Sequence, residues 1–138
     1  MTQYMKSSTR YISEFVYDAT NANGNNVRID MRPAAEKENQ SPVELLISAL
    51  AACVAVEVAG IIKKKRKTLN DLVIESDYTR KDTNPKGITD VHQKYILTSP
   101  DVKEEELTKM IRLIIDGYCS VADSLKANIT YSVEVIAE

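Results

Sequence analysis

The chain has 138 residues, of which 43% are hydrophobic and 28% charged, the proportions of a single soluble domain. Its net charge of −2 provides no overall field to recruit nucleic acid or an anionic membrane. One histidine and two cysteines are too few for a zinc site within one chain. With no apolar signal core in MTQYMKSSTRY, they also do not suggest a disulfide framework.

Residues 1–8 are expected to form a frayed or short edge segment. Arg10–Asp18 mixes aromatic and β-branched residues in rough alternation, which predicts a strand. Asn23-Gly24, within the polar run Asn21–Asn26, marks a hairpin turn. Val27–Arg32 then alternates, with Val27, Ile29 and Met31 expected to face inward, and Pro33–Gln40 is a polar loop.

Ser41–Lys67 organises the rest of the chain. Ser41 can cap a helix, Pro42 suits the first helical position, and Glu44 completes a capping box. From Leu45 to Ile62 only Ser48, Glu57 and Gly60 interrupt an apolar run. A helix with no wet face is expected to be buried all round, and one chain of this size supplies little wall for it; a homodimer would supply the rest. The run reaches the lower length of a membrane span. Its alanine content and Glu57 near its middle argue against one, so no membrane partner is expected. Lys63–Lys67 is read as a solvated helix end that complements the dipole, rather than as a nucleic-acid patch.

Leu69–Arg80 and Ile88–Ser99 are predicted strands joined by the turn Asp82–Gly87. Val102–Asp116 carries Leu107, Met110, Ile111, Ile114 and Ile115 at helical spacing, and Gly117 is placed to end that helix. Ser120–Asp123 reads as a capping box opening a short helix. Asn128–Ile136 is a last strand with Ile129, Tyr131, Val133 and Val135 on one face. The order predicts a single α+β domain over residues 1–138 with mostly antiparallel pairing. His92 is expected to be a hydrogen-bonded strand residue.

The chemistry lies in Cys53 and Cys119. A thiol attacks as thiolate. Cys119 precedes the short helix, whose amino end favours negative charge, so it is expected to be the more acidic of the two. Cys53 sits among alanines and valines, with Glu57 one turn away, and burial there opposes ionisation. Either cysteine could equally be inert packing, and Glu44 could be no more than a cap.

The run SPVELLISALAACVAVEVAGIIKKK, followed later by YCSVADSL, resembles the OsmC/Ohr family of osmotically induced and organic-hydroperoxide-resistance proteins, in its OsmC-like branch. The resemblance implies antiparallel sheets around a long central helix in an intertwined homodimer. It also implies a cytoplasmic thiol peroxidase. Cys53 would attack an organic hydroperoxide and become a sulfenic acid, and Cys119 would resolve it as a disulfide. A dithiol reductant, such as a lipoylated protein, would reset the pair. Glu44 would be the third site residue, with no cofactor and no metal. In the family the glutamate directly follows the proline and pairs with an arginine from the early strands. Here Val43 follows Pro42, and no arginine lies in Phe15–Asp18. The alternatives are a non-catalytic stress protein holding a small apolar ligand beside Cys53, and a thiol redox sensor.

Overall fold

A computed structural model describes residues 5–138. The edge segment expected over residues 1–8 lies partly outside the described residues; Ser7 and Ser8 open the first strand. The chain divides into two compact units, one ending at Leu46 and the other running Ile47–Glu138.

The N-terminal unit is an antiparallel sheet in the order β1-β2-β3, formed by β1 (Ser7–Ser13), β2 (Val16–Asn21) and β3 (Asn26–Asp30). The single strand expected over Arg10–Asp18 is a hairpin. Glu14 and Phe15 turn the chain without a glycine or proline to mark it, and Tyr11 comes to lie opposite Tyr17, ring edge to ring face at 5.8 Å. The next turn has the expected chemistry. The Asn21 side chain accepts the N–H groups of Asn23 at 3.1 Å and Asn25 at 2.9 Å, and Gly24 takes the left-handed conformation at φ 85°.

Val27 and Met31 do not face inward; they are 48% and 55% exposed, and the fully buried residue of β3 is Asp30. A carboxylate can be buried when donors surround it. Asp30 accepts Arg32 Nη2 at 2.7 Å, Arg32 Nε at 3.0 Å and the Glu38 N–H at 2.9 Å. The Arg32 guanidinium holds the carboxyl well below the usual carboxylate range, with the backbone donors assisting. The loop after β3 is thereby folded back onto the strand.

Helix α1 (Pro42–Lys64) begins in the N-terminal unit and lies mostly in the other. Its capping box is formed: the Glu44 carboxylate accepts the Ser41 N–H at 2.9 Å, and Ser41 Oγ accepts the Glu44 N–H at 3.4 Å. It ends with Arg66 at φ 57°, the Arg66 N–H on the Lys63 carbonyl and the Lys67 N–H on that of Ile62, a left-handed cap made by a residue other than glycine. Lys67 then reaches Glu106 at 2.7 Å.

The helix is not buried all round. Ile47, Leu50, Val54, Val58 and Ile62 form one buried stripe, while Ala49, Ala52, Val56, Ala59 and Gly60 are exposed. One chain provides a wall for one side only. By length and composition α1 is the one helix among the described residues that could cross a membrane.

The C-terminal unit adds β4 (Asp71–Arg80), β5 (Ile88–Thr98), α2 (Glu104–Gly117), α3 (Ser120–Ser124) and β6 (Asn128–Ile136). The sheet order is β4-β5-β6. β4 and β5 are antiparallel, but β5 and β6 are parallel, because the connection between them crosses over through α2 and α3. Helix α2 starts two residues later than expected. The Ser99 hydroxyl accepts the N–H groups of Asp101 at 3.3 Å and Val102 at 3.2 Å, holding a turn there instead. The α1 stripe, Val91, Tyr95 and Leu97 of β5, and Leu107, Met110, Ile111 and Ile114 of α2 form one core. His92 is on the opposite face of the sheet, bonded to Thr130 at 2.7 Å and Ser132 at 3.1 Å.

Candidate active site

Cys53 lies next to Val54 of the buried stripe, half-buried and packed against the core. Helical periodicity alone places it there. Cys119 is positioned by the end of α2. The N–H groups of Tyr118 and Cys119 both reach the Ile114 carbonyl, at 2.9 and 2.8 Å. The chain then becomes extended at Cys119, and its sulfur accepts the Ala122 N–H at 3.3 Å. The short helix is therefore capped by Cys119 itself, one residue earlier than the expected capping box at Ser120.

The two cysteines belong to one packed cluster, and each lies within reach of the other's electrostatic influence. Cys119 is 2% exposed. Burial pushes its thiol pKa up, and the neighbouring Cys53 acts in the same direction; the Ala122 N–H opposes both. The expectation that Cys119 is an acidic thiol is overturned. Desolvation of a nearly sealed sulfur outweighs the helix end. Glu57 is exposed. A surface cavity of about 300 Å³ opens against Cys119, walled by Ile115, Asp116, Tyr118, Ser120 and Asp123.

Glu44 belongs to the N-terminal unit. Its carboxylate takes Lys37 Nζ and the Ser41 N–H, and these lower its pKa to about 2, Lys37 contributing most. Two of the early arginines are engaged elsewhere. Arg28 pairs with Asp18 at 2.7 Å and Arg32 with Asp30 at 2.7 Å. Lys37 was not legible as Glu44's partner, since nothing in the polar loop Pro33–Gln40 singles it out. Two further polar residues were missed. Gln93 and Tyr95 share the inward parity of Val91 and Leu97 on β5, and both are fully buried. A polar residue at a core-facing strand position was the signal available.

The molecule is thus an α+β fold of two three-stranded sheets, with one free thiol on a long helix and a second at the cap of a short one. The profile of the family described as OsmC-like protein matches residues 35–134, and the chain belongs to that family. It is 27% identical to protein YhfA of Escherichia coli K12, over 96% of this chain and 99% of that one. The OsmC-like protein of Mycoplasma pneumoniae shares the fold at a TM-score of 0.83, with 19% identity over 99% of each chain. The organic hydroperoxide resistance protein OhrB of Bacillus subtilis superposes with a TM-score of 0.61, at 16% identity over 96% of this chain and 98% of that one.

Proposed function

We propose that the protein is a two-cysteine thiol peroxidase that reduces organic hydroperoxides. The observation that carries this reading is that the two free thiols belong to one packed cluster, Cys53 half-buried and Cys119 nearly sealed, with Cys53 acting on the Cys119 thiol. In the first step the Cys53 thiolate attacks the distal peroxide oxygen. An S–O bond forms and the O–O bond breaks; the sulfur is oxidised to a sulfenic acid, and the alkoxide leaves and is protonated to the alcohol. In the second step the Cys119 sulfur attacks the Cys53 sulfur. The S–S bond forms, the S–O bond breaks, and the departing hydroxide takes the Cys119 proton as water. A dithiol reductant, of which a lipoylated protein is one kind, returns the pair to two thiols. Two free cysteines suit a reducing compartment such as the cytoplasm. The name of the Bacillus subtilis relative agrees with this substrate class.

The working form we propose is a homodimer in which α1 is central. Support comes from each unit separately. Val56 of α1 is 66% exposed; in the N-terminal sheet Tyr11 is 63% exposed and Val27 48%. Apolar area of this kind is usually covered. Within the N-terminal unit Glu44 is paired with Lys37, a lysine, whereas the family pairs its glutamate with an arginine that this chain lacks at Phe15–Asp18.

The test is a parallel assay of reduced protein with cumene hydroperoxide and hydrogen peroxide, counting thiols lost. The expected result is rapid loss of two thiols per chain, faster with the organic peroxide, and no rapid loss in Cys53→Ser. Consumption at the rate of a free thiol, or an unchanged Cys53→Ser, refutes the proposal.

A further inference from the structure

Helix α1 ends in a charge cluster that the thiol chemistry leaves unused. Lys63, Lys64, Lys65 and Arg66 are exposed, and Lys67 is half-buried. Two cations in the last turn, Lys63 and Lys64, are enough to complement the helix dipole, whose effect is confined to that turn. The run continues past it. Lys65 and Lys67 both turn to Glu106 of α2, at 3.8 and 2.7 Å. Lys63, Lys64 and Arg66 make no ion pair among the described residues. Like charges gathered this closely repel one another. Arg66 also holds the left-handed conformation at φ 57°, which glycine adopts freely and arginine does not. A glycine there would end the helix with less strain and less repulsion; what the arginine adds is charge. The cluster has a fixed relation to the thiol site. Lys64 follows Cys53 in the same helix. At about 1.5 Å and about 100° per residue, it stands about 16 Å along the axis and about 20° round it, on the same face. Glu57 and Gly60 lie between them on that face and are exposed, and a Cβ on Gly60 would meet nothing within 4 Å.

We propose that Lys63, Lys64 and Arg66 are the docking surface for an acidic protein that brings the reducing dithiol to Cys53 on a flexible arm. The inference rests on the peroxidase reading and assigns its second partner. The whole chain carries a net charge of −2, and Glu104 and Glu105 stand beside Glu106 in the first turn of α2. The positive patch is therefore compact and bounded by negative charge. Such a patch fits the acidic face of a folded protein better than an extended polyanion, which would meet repulsion beyond it. Docking uses only the end of α1 past Ile62, so it does not depend on what covers Val56. One thiolate of the docked dithiol attacks the Cys53 sulfur of the Cys53–Cys119 disulfide. A mixed disulfide forms, and Cys119 leaves as a thiolate. The second thiol of the reductant then attacks the reductant's own sulfur in the mixed disulfide, closing it to a cyclic disulfide and releasing Cys53. Two electrons pass to the protein, and the two protons given up by the reductant restore both thiols.

The test compares two reductants of one chemistry: dihydrolipoamide, which is small and neutral, and a reduced lipoylated protein domain of net negative charge. Protein oxidised with diamide is mixed with each, and the return of thiols is followed. In the triple variant Lys63→Gln, Lys64→Gln, Arg66→Gln, reduction by the domain is expected to slow about tenfold or more at low ionic strength, the scale of electrostatic steering, and to lose most of its salt dependence. Reduction by dihydrolipoamide is expected to hold the parent rate, with the melting temperature within a few degrees of the parent. An unchanged rate with the domain, or equal slowing with both reductants, overturns the inference and leaves the peroxidase reading intact. So does binding of duplex DNA by the parent that the triple variant loses, which assigns the patch to a polyanion. Thiol loss to cumene hydroperoxide is measured separately in the parent; loss no faster than that of a free thiol overturns both. Should the triple variant not fold, Arg66→Gly, which removes one charge and the left-handed strain together, decides by the same criteria with a smaller loss.

Discussion

The pairing of Gln93 with Tyr95 makes a stability prediction whose sign is unusual. Both side chains are fully buried. The only hydrogen bond joining them runs from the tyrosine hydroxyl to the amide oxygen, and the amide nitrogen finds no partner among the described residues. Tyr95→Phe removes one oxygen atom and little volume. It leaves the amide with neither its oxygen nor its nitrogen partnered, so the loss should be about 1–3 kcal/mol, the cost of a stranded buried polar group. Gln93→Leu removes the orphan amide nitrogen but strands the tyrosine hydroxyl. These terms are of similar size and opposite sign, and the net change should be within about 1 kcal/mol. The double substitution removes every polar atom of the pair while roughly conserving volume, and should be at least as stable as the parent. The coupling between the two sites is then about 1–3 kcal/mol in favour of the double variant. The assay is urea unfolding at one fixed protein concentration, comparing midpoints at constant slope. Two additive single changes, or a double variant less stable than both singles, would refute the reasoning.

Two other expectations follow from the site. Because burial first, and then the neighbouring Cys53, raise the Cys119 pKa, alkylation of Cys119 should lag until the pH is above the ordinary thiol value of about 8.5; in Cys53→Ala the lag should shift to lower pH, read by iodoacetamide labelling and peptide mass analysis. A Cys119 that alkylates fully at neutral pH would contradict the raised pKa. Val56→Glu, on the exposed face of α1, should convert the proposed dimer to a monomer with its fold retained, read by light scattering and circular dichroism; an unchanged mass would remove that face from the proposed interface.

Much of the fold was legible because it depends on local pattern. The last strand was bounded correctly at Asn128–Ile136 by period-two alternation, and the α1 cap by Ser41 and Glu44. The family was legible from the run around Cys53. What failed depended on partners distant in sequence. Asp30 looked like an outward strand residue because its alternation with Ile29 and Met31 was visible, while the Arg32 guanidinium and the Glu38 N–H that make its burial tolerable were not. The hairpin at Glu14-Phe15 was missed because neither residue is a turn former, and only pairing of Tyr11 with Tyr17 reveals it. The acidity of Cys119 was misjudged for a similar reason: the amino end of a helix can be read locally, but the distant core residues it packs among cannot.

That reversal bears directly on the proposed chemistry. An acidic Cys119 would be a second exposed nucleophile, competing with Cys53 for peroxide and open to oxidation without a partner. A buried Cys119 that retains its proton reacts poorly with peroxide, because the thiol form is a weak nucleophile. It nevertheless shares a packed cluster with Cys53, whose sulfur it would attack in the proposed reaction. Once Cys53 carries an oxygen, the same proton is the one the departing hydroxide needs, so nucleophile and acid come from one group. In the proposed mechanism this arrangement would trade rate in the resting state for order in the reaction: Cys53 first, Cys119 second. The Ala122 N–H on the Cys119 sulfur then has a definable part, since it opposes the effect of burial and offers a donor to the sulfur as its proton departs. A lengthened side chain at residue 122 that shifts this N–H should slow disulfide closure and leave sulfenic acid formation at Cys53 as it was.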